Sequence, residues 1–312
     1  MIKTLWKKLS AFGPYAPLIA MYIISLPILS FSRIGLMLWQ AERVAATGEW
    51  PQMLLQGFRI DIIQLGLFAI IPLLIAPLFA HRSAWNWWKN FTYIWVAISV
   101  ILLIFLEAAA PGFIAEYNAR PNRLFIEYLN YPKEVIPMLW NGFLLSVFAS
   151  IGLITLSVWA LRKVMTPWLS QQRPTKNLRY WLALPFVILL VAFSVRSTTD
   201  HRPANPAMFA ITSDTMVNSL ILNSTWSVFH AIYNLKHEST SSEIYGKMEF
   251  ADIMTQIQLT RDMLQDKRPL LGNPDIPSLI QQTASIQRDK PLNLVIVLQE
   301  SLGATFVESL GG

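Results

Sequence analysis

The chain has 312 residues, of which 54% are hydrophobic and only 14% charged, whereas an average soluble domain is about 25% charged. This composition excludes an ordinary soluble domain and indicates a membrane protein. The formal net charge of +6 does not indicate nucleic-acid binding, because membrane proteins concentrate lysine and arginine in their cytoplasmic loops. The sequence has no cysteine, which excludes disulfides, thiolate nucleophiles and cysteine-ligated metals.

Five segments are apolar enough to cross a hydrocarbon core, which takes about 17 to 25 residues per helix. They cover residues 16–38, 62–79, 91–110, 143–161 and 180–195. Lysines precede the first segment, as in a cleaved signal peptide, but its apolar run exceeds the roughly 7 to 15 residues of a signal core. We therefore predict a retained helix there and a five-helix transmembrane domain over residues 1–195.

The basic residues of the connecting loops predict the orientation of these helices. One side is richer in them, with Lys3, Lys7, Lys8, Arg82, Lys89, Arg162, Lys163, Arg173, Lys176 and Arg179. The other side holds Arg43, Arg59, Arg120, Arg123 and Lys133, mixed with glutamates. The richer side is expected to be cytoplasmic, which places the N-terminus in the cytoplasm and everything after residue 195 outside it. Trp85, Trp87, Trp88 and Trp140 flank the spans, as interfacial anchors do.

The segments predicted to lie outside also carry helical patterns. "RPNRLFIEYLNYPKEV" has apolar residues at helical spacing, which favours a helix lying in the headgroup layer. "AMFAITSDTMVNSLILNSTWSVFHAIYNL" is too polar to span and too apolar for a free linker, so it predicts one or two packed helices. "MEFADIMTQIQLTRDML" predicts a helix that covers a soluble core. Residues 196–291 are therefore predicted to be juxtamembrane helices and a linker.

The last segment begins with "NLVIVL", a continuous β-branched and aliphatic run that is typical of a buried strand in a parallel sheet. Gln299 and Glu300 follow it. Ligands of open α/β sheets bind beyond the carboxyl ends of the strands, and a carboxylate there can ligate a hard divalent cation. Many strands also end in a solvated acid, so these residues alone leave both interpretations open.

"NLVIVLQESLGATFVESLGG" resembles the opening of the extracellular catalytic domain of the lipoteichoic acid synthase family, phosphoglycerol transferases of the alkaline phosphatase and sulfatase superfamily. In that family a hydrophobic first strand ends in a Glu-Ser pair, here Glu300 and Ser301, and an aromatic follows, here Phe306. Five membrane helices precede the domain. The segments "GFRIDIIQLG", "EYNARPNRLFIEYL" and "HRPANPA" also resemble the versions found in Gram-negative bacteria.

The resemblance implies an α-helical membrane protein whose residues 292–312 begin an α/β sulfatase-like domain. It implies that Glu300 ligates a catalytic Mn²⁺ or Mg²⁺. No catalytic residue can be carried over, because the family's nucleophilic threonine and its remaining ligands are expected beyond Gly312, and Thr305 comes too early to match. The implied location is a bacterial inner membrane, and the implied substrate is a phospholipid such as phosphatidylglycerol.

Three functions stay open at this point. The first is transfer of glycerophosphate from a phospholipid to an acceptor outside the cytoplasm. The second is phosphoethanolamine transfer within the same superfamily, although those enzymes have a more arginine-rich context after the first strand. The third is a non-catalytic, lipid-binding membrane protein.

Three arginines are candidates for binding a lipid phosphate on the side predicted to lie outside. Arg59 lies at the outer start of the second span, and Arg120 and Arg123 lie in the segment of the predicted interfacial helix. Arginine can hold a phosphate with two parallel hydrogen bonds, although snorkelling or membrane anchoring would explain the same positions. Asp61 is too close in sequence to Arg59 to face it on a helix, and Glu107 is expected to snorkel to the interface.

Overall fold

The computed structural model describes residues 2–81, 83–174, 178–198, 204–244, 248–273, 278–281, 290 and 295–296. Within these ranges the helices are α1 Ile2–Leu9, α2 Ala16–Trp39, α3 Ala41–Thr47, α4 Trp50–Ile75, α5 Trp85–Tyr117, α6 Arg123–Leu129, α7 Pro132–Gly142, α8 Leu144–Gln171, α9 Leu178–Arg196, α10 Thr215–Ile221, α11 Ser224–Ile244 and α12 Phe250–Met263. The chain divides into two compact units, residues 1–241 and 242–312.

Among its described residues, the first unit has five helices that are long and apolar enough to cross a membrane, and they confirm the five predicted segments. They cover Trp6–Trp39, Trp50–Phe79, Trp85–Tyr117, Leu144–Gln171 and Leu178–Arg196. Every one is longer than predicted, because a helix continues through polar residues after the apolar run has ended. The second, for example, begins at Trp50 rather than at residue 62.

Helix α2 packs against α4 and α5, while α9 packs on α4 and α8 packs on α5. Where they meet, Met21, Ala69, Val96 and Met165 form part of one buried apolar cluster. The outward surface is also apolar, and Leu145 of α8 is 84% exposed. An apolar surface of this kind suits contact with lipid tails, which are as apolar as the side chains themselves.

Two of the predicted interfacial tryptophans are core residues. Trp85 and Trp88 are buried, and their indole N–H groups donate to the carbonyl oxygens of Gln172 at 3.1 Å and Pro14 at 3.2 Å. A buried indole needs such an acceptor. Here the carbonyl oxygens of Pro14, just before α2, and of Gln172, just after α8, provide it. Trp87 and Trp140 are exposed, as an interfacial position requires.

The end of the bundle opposite Trp85 and Trp88 holds the C-termini of α2, α5 and α9 and the N-termini of α4 and α8. We call it the distal end. Segment 204–244 forms a short 3₁₀ turn, Pro206–Phe209, followed by α10 and α11, so the prediction of packed helices here is confirmed. Helix α10 packs on α2 and α4. Its buried Val217 and Leu220 share an apolar cluster with Met53 and Ile60 of α4.

The predicted interfacial helix consists of two helices, α6 and α7. They are separated because Pro132 disfavours a helical conformation of the residue before it, and Tyr131 has non-helical angles (φ −119°, ψ 58°). On α6, the ring of Phe125 lies 6.3 Å from that of Phe113. The hydroxyl groups of Tyr128 and Tyr117 are 2.5 Å apart, so α6 is held against the end of α5.

The second unit contains α12 and an isolated antiparallel bridge between Leu270 and Ile280. Phe250 and Ile253 of α12 are exposed, so within the described residues of this unit the helix does not cover the expected core. Of the predicted strand, Val295 and Ile296 are described and have no regular structure. The rest of it, with Glu300, Ser301 and Phe306, lies outside the described residues, so the α/β domain stays a prediction.

Candidate functional site

Four charged side chains are buried at the distal end of the bundle. Arg33 of α2 is 1% exposed, Asp61 of α4 0%, Glu107 of α5 7% and Arg120, just after α5, 2%. Charged groups are almost never this buried unless they are paired, since removing an ion from water is costly. Charges at membrane depth are also frequent markers of functional sites.

Arg33 and Asp61 form a bidentate ion pair. Both nitrogen–oxygen distances, Nη1 to Oδ2 and Nη2 to Oδ1, are 2.7 Å. The remaining polar groups are also used, because Arg33 Nε donates to the carbonyl oxygen of Ile221 at 3.1 Å and Asn223 Nδ2 donates to Asp61 Oδ1 at 3.0 Å. This is the geometry that a buried pair needs to offset its desolvation.

Glu107 and Arg120 form the second pair. Arg120 Nη1 lies 2.9 Å from Oε1 and 2.8 Å from Oε2 of the glutamate. The Ser32 hydroxyl donates to Oε2, and the Ser224 backbone N–H donates to Oε1 at 2.8 Å. The prediction that Glu107 snorkels is therefore wrong, because an arginine and two further donors hold its carboxylate inside the protein.

The two pairs belong to one network, since Ser32 and Arg33 are consecutive residues, as are Asn223 and Ser224. Arg33 belongs to the first pair, and its neighbour Ser32 donates to the second. Asn223 donates to the first pair, and its neighbour Ser224 donates to the second. The two arginines and two acids leave no formal net charge. We call these four charged residues, with Ser32, Asn223 and Ser224, the buried charge network.

The charges of the network complement the partial charges at the ends of the two helices it contacts, α10 and α11. The last carbonyls of a helix have no partner within it and carry partial negative charge. Those of α10 accept from the arginines: Arg120 donates to Ser219 O at 3.2 Å and Leu220 O at 3.3 Å, and Arg33 donates to Ile221 O.

The first N–H groups of a helix are electropositive in the same way. At the start of α11, the Ser224 N–H donates to Glu107. The Trp226 N–H donates to the side chain of Asn223 at 2.8 Å. Charged side chains on or just after the membrane helices thus cap the end of α10 and the first N–H of α11, and Asn223 caps the N–H of Trp226.

Gly57 of α4 leaves the space that Arg33 occupies. A Cβ atom at this position would lie 2.5 Å from Cζ and 2.6 Å from Cδ of the arginine, well inside van der Waals contact. The guanidinium cannot move aside without losing its bonds to Asp61. Glycine at this position is therefore part of how the sequence specifies the network.

The predicted phosphate-binding arginines have different surroundings. Arg120 belongs to the buried charge network. Arg59 donates from Nε to Ser197 Oγ at 2.6 Å and lies 5.7 Å from the Phe209 ring centre. Arg123 pairs with Glu127 at 2.6 Å on the surface. As expected, Arg59 and Asp61 do not pair with each other, and a substrate role for any of the three arginines stays a prediction.

Sequence reasoning missed Arg33, although a signal was present. It is the only charged residue between positions 16 and 38, and a lone charge within a span predicts a buried partner. Among the residues that the structure describes, no group of three or more His, Asp or Glu side chains could hold a metal ion. Glu300, the predicted metal ligand, lies outside them.

Within the part of the chain that the structure describes, five apolar helices, three of which are linked at the distal end by a neutral network of buried charges, define an α-helical membrane protein. No family model matches this chain, and no solved structure matches it.

Proposed function

We propose that this chain is the membrane anchor and first catalytic segment of a metal-dependent phosphoglycerol transferase resembling lipoteichoic acid synthase. It would transfer glycerophosphate from a phospholipid such as phosphatidylglycerol to an acceptor outside the cytoplasm. The observation that carries the proposal is the Glu300–Ser301 pair, one residue after an apolar run, in a chain that begins with five apolar helices. In this proposal the protein sits in a bacterial inner membrane, with its N-terminus in the cytoplasm.

The anchor has a physical purpose in this proposal. A phospholipid does not leave the bilayer, so an enzyme held at the headgroup layer meets its substrate at a high effective concentration. The buried charge network supports this role, because it fixes the junction of α10 and α11 to α2, α4 and α5.

Glu300 would ligate the metal ion. A carboxylate oxygen is the donor that hard cations such as Mn²⁺ and Mg²⁺ prefer. When bound, such an ion polarises a phosphoryl oxygen and activates a hydroxyl nucleophile.

The proposal can be tested on protein purified from its native membrane in detergent. Phosphatidylglycerol with a fluorescent acyl chain is supplied with Mn²⁺, and release of fluorescent diacylglycerol is followed by chromatography. The test variant is Glu300→Ala. The chain offers a matched control in Glu308→Ala, since Glu308 is also followed by a serine but comes too late to end the predicted strand.

We expect Mn²⁺-dependent diacylglycerol release that falls at least about 10- to 100-fold in Glu300→Ala, because losing even the groups that support metal ligands has this effect. Glu308→Ala should keep its activity. Release from phosphatidylethanolamine in place of phosphatidylglycerol would favour the phosphoethanolamine transferase. No release from either lipid would refute transfer and favour the lipid-binding alternative.

A further inference from the structure

A cavity of about 410 Å³ lies between the start of α6 and the side of α11. Its lining residues are Asn122, Arg123, Leu124, Pro206, Ser227, His230, Ala231, Asn234 and Leu235. It is separate from the buried charge network, whose residues do not line it. Its volume lies within the range of small-molecule sites.

One part of the lining consists of hydrogen-bonding groups suited to an anion. Arg123 supplies a guanidinium, Ser227 a hydroxyl, and Asn234 an amide. The Asn234 amide lies 3.2 Å from His230 Nδ1. With the amide as donor, the neutral imidazole carries its proton on Nε2 and can donate from there. The imidazole is held in place by stacking on Trp226, with ring centres 5.0 Å apart.

Another part of the lining is apolar and consists of Leu124, Pro206, Ala231 and Leu235. Close by, Phe113, Tyr117, Phe125 and Tyr128 form a chain of ring contacts where α5 meets α6. Aromatic residues of this kind are enriched where lipid headgroups meet the hydrocarbon layer. The lining thus combines hydrogen-bonding and apolar side chains, both of which a phospholipid headgroup with its glycerol esters needs.

We propose that this cavity binds the phosphate and glycerol backbone of a phospholipid headgroup. Arg123 and His230 would donate to the phosphate, and the apolar part would hold the glycerol ester region. The choice of phosphatidylglycerol as the lipid rests on the proposed function, whereas phosphate binding by the cavity does not.

The ion pair between Arg123 and Glu127 does not prevent this. Its pair with Glu127 is exposed, with side-chain exposures of 52% and 40%, and such pairs contribute little to stability. A phosphate can accept two parallel, charge-assisted hydrogen bonds from the guanidinium. Exchange of the carboxylate for a lipid phosphate therefore costs little.

The test is equilibrium binding of fluorescent phosphatidylglycerol and fluorescent diacylglycerol to the full chain in detergent micelles, with EDTA present. Diacylglycerol has the same apolar part but no phosphate. The variants are Arg123→Gln and His230→Phe, which keeps a ring on Trp226. The control is Lys133→Gln, which removes a positive charge on the neighbouring α7 outside the cavity. Thermal unfolding of each variant checks that it folds.

We expect at least about tenfold tighter binding of phosphatidylglycerol than of diacylglycerol, and about a tenfold loss for phosphatidylglycerol alone in Arg123→Gln, with a smaller loss in His230→Phe. Equal binding of the two lipids, or an unchanged affinity in both folded variants, would overturn the proposal. Displacement by glycerol 3-phosphate at the same concentrations would support a phosphate site but overturn a lipid as its ligand. EDTA removes the metal, so this binding test does not depend on transferase activity. Absence of activity in the Mn²⁺ assay would therefore refute the proposed function alone, and absence of binding here would refute the cavity proposal alone.

Discussion

The substitution Asp61→Asn tests the buried charge network most directly. It keeps the shape of the side chain and removes its charge. The 0%-exposed carboxylate now accepts two bonds of 2.7 Å from Arg33. After the substitution, the amide oxygen can accept one of them, while the amide N–H₂ opposes the guanidinium. Arg33 would remain buried with the Ile221 carbonyl and one amide oxygen as partners.

Removing one partner of a buried ion pair costs about 3 to 5 kcal/mol, because the other charge stays desolvated. We expect a value near the lower limit, about 3 kcal/mol, since one bond is kept. The loss should appear at the junction of α10 and α11, where the network holds Ser224 and Trp226. It corresponds to about a 150-fold rise in the open fraction of that junction.

Hydrogen exchange measures this local opening. The protein in detergent is exchanged, and the amides of Ser224 and Trp226 are compared between the native chain and Asp61→Asn. Lys133→Gln serves as the control, because it removes an exposed charge on α7 outside the network and should leave these amides within about threefold of the native chain. The double substitution Arg33→Met with Asp61→Leu removes both charges and should restore most of the protection.

A change of less than threefold in Asp61→Asn would refute the reasoning, since it would mean that the network does not hold the junction. Failure of the double substitution to restore protection would show that the hydrogen bonds of the pair, rather than the relief of an unpaired buried charge, hold the junction.

Three further substitutions and titrations follow from the same structure. Gly57→Ala should cost at least about 1 to 3 kcal/mol, because its methyl group overlaps Arg33; unchanged unfolding in detergent would contradict this. Partial burial raises the pKa of the Asp214 carboxyl, but backbone N–H groups and the Arg43 guanidinium lower it by more, so that this pKa lies below its usual range. A lowered pKa stabilises the folded state above the unfolded value of 3.8 and loses that effect as pH falls through the folded pKa. Asp214→Asn should therefore remove part of the acid sensitivity, about 0.2 to 1 kcal/mol, and an unaltered stability profile between pH 5 and 2 would contradict it. Burial lowers the pKa of His230 below 6.5, so the midpoint of its NMR titration should lie below that value. The free energy of unfolding should fall as the pH drops below 6.5, because the unfolded state takes up the proton first. A midpoint at 6.5 or above would refute burial of His230 as a neutral imidazole.

The apolar runs were enough to predict the five membrane helices, because length and hydrophobicity decide that question almost alone. Their ends were not predictable in the same way. Residues 50–61 contain Gln56, Arg59 and Asp61 yet remain helical, since backbone hydrogen bonds continue into the headgroup layer. The helix starts at Asp214 and Asn223 did have a sequence signal, because both residue types are preferred N-caps, and both side chains accept backbone N–H groups here.

The pairings within the network could not be predicted from the sequence. Arg33 and Asp61 are 28 residues apart, and Glu107 and Arg120 are linked through a bend after α5. Which charge meets which depends on how the helices are rotated about their axes, and the apolar surfaces of α2 and α4 do not fix that rotation by themselves. Arg120 shows the consequence, since its sequence position suggested a lipid ligand while the fold surrounds it with protein partners.

The same fact explains why such a network is useful in a membrane. Replacing a buried ion pair with apolar residues is often neutral or even stabilising, so stability alone does not account for four buried charges. Between apolar helices in lipid there is little hydrophobic driving force to select one arrangement. A bidentate pair, by contrast, tolerates only one rotation and one register of α2 against α4. Because the same side chains cap α10 and α11, that single arrangement also sets the point at which the chain leaves the bundle. The restored double variant should then keep its stability while showing more than one set of NMR signals for the junction.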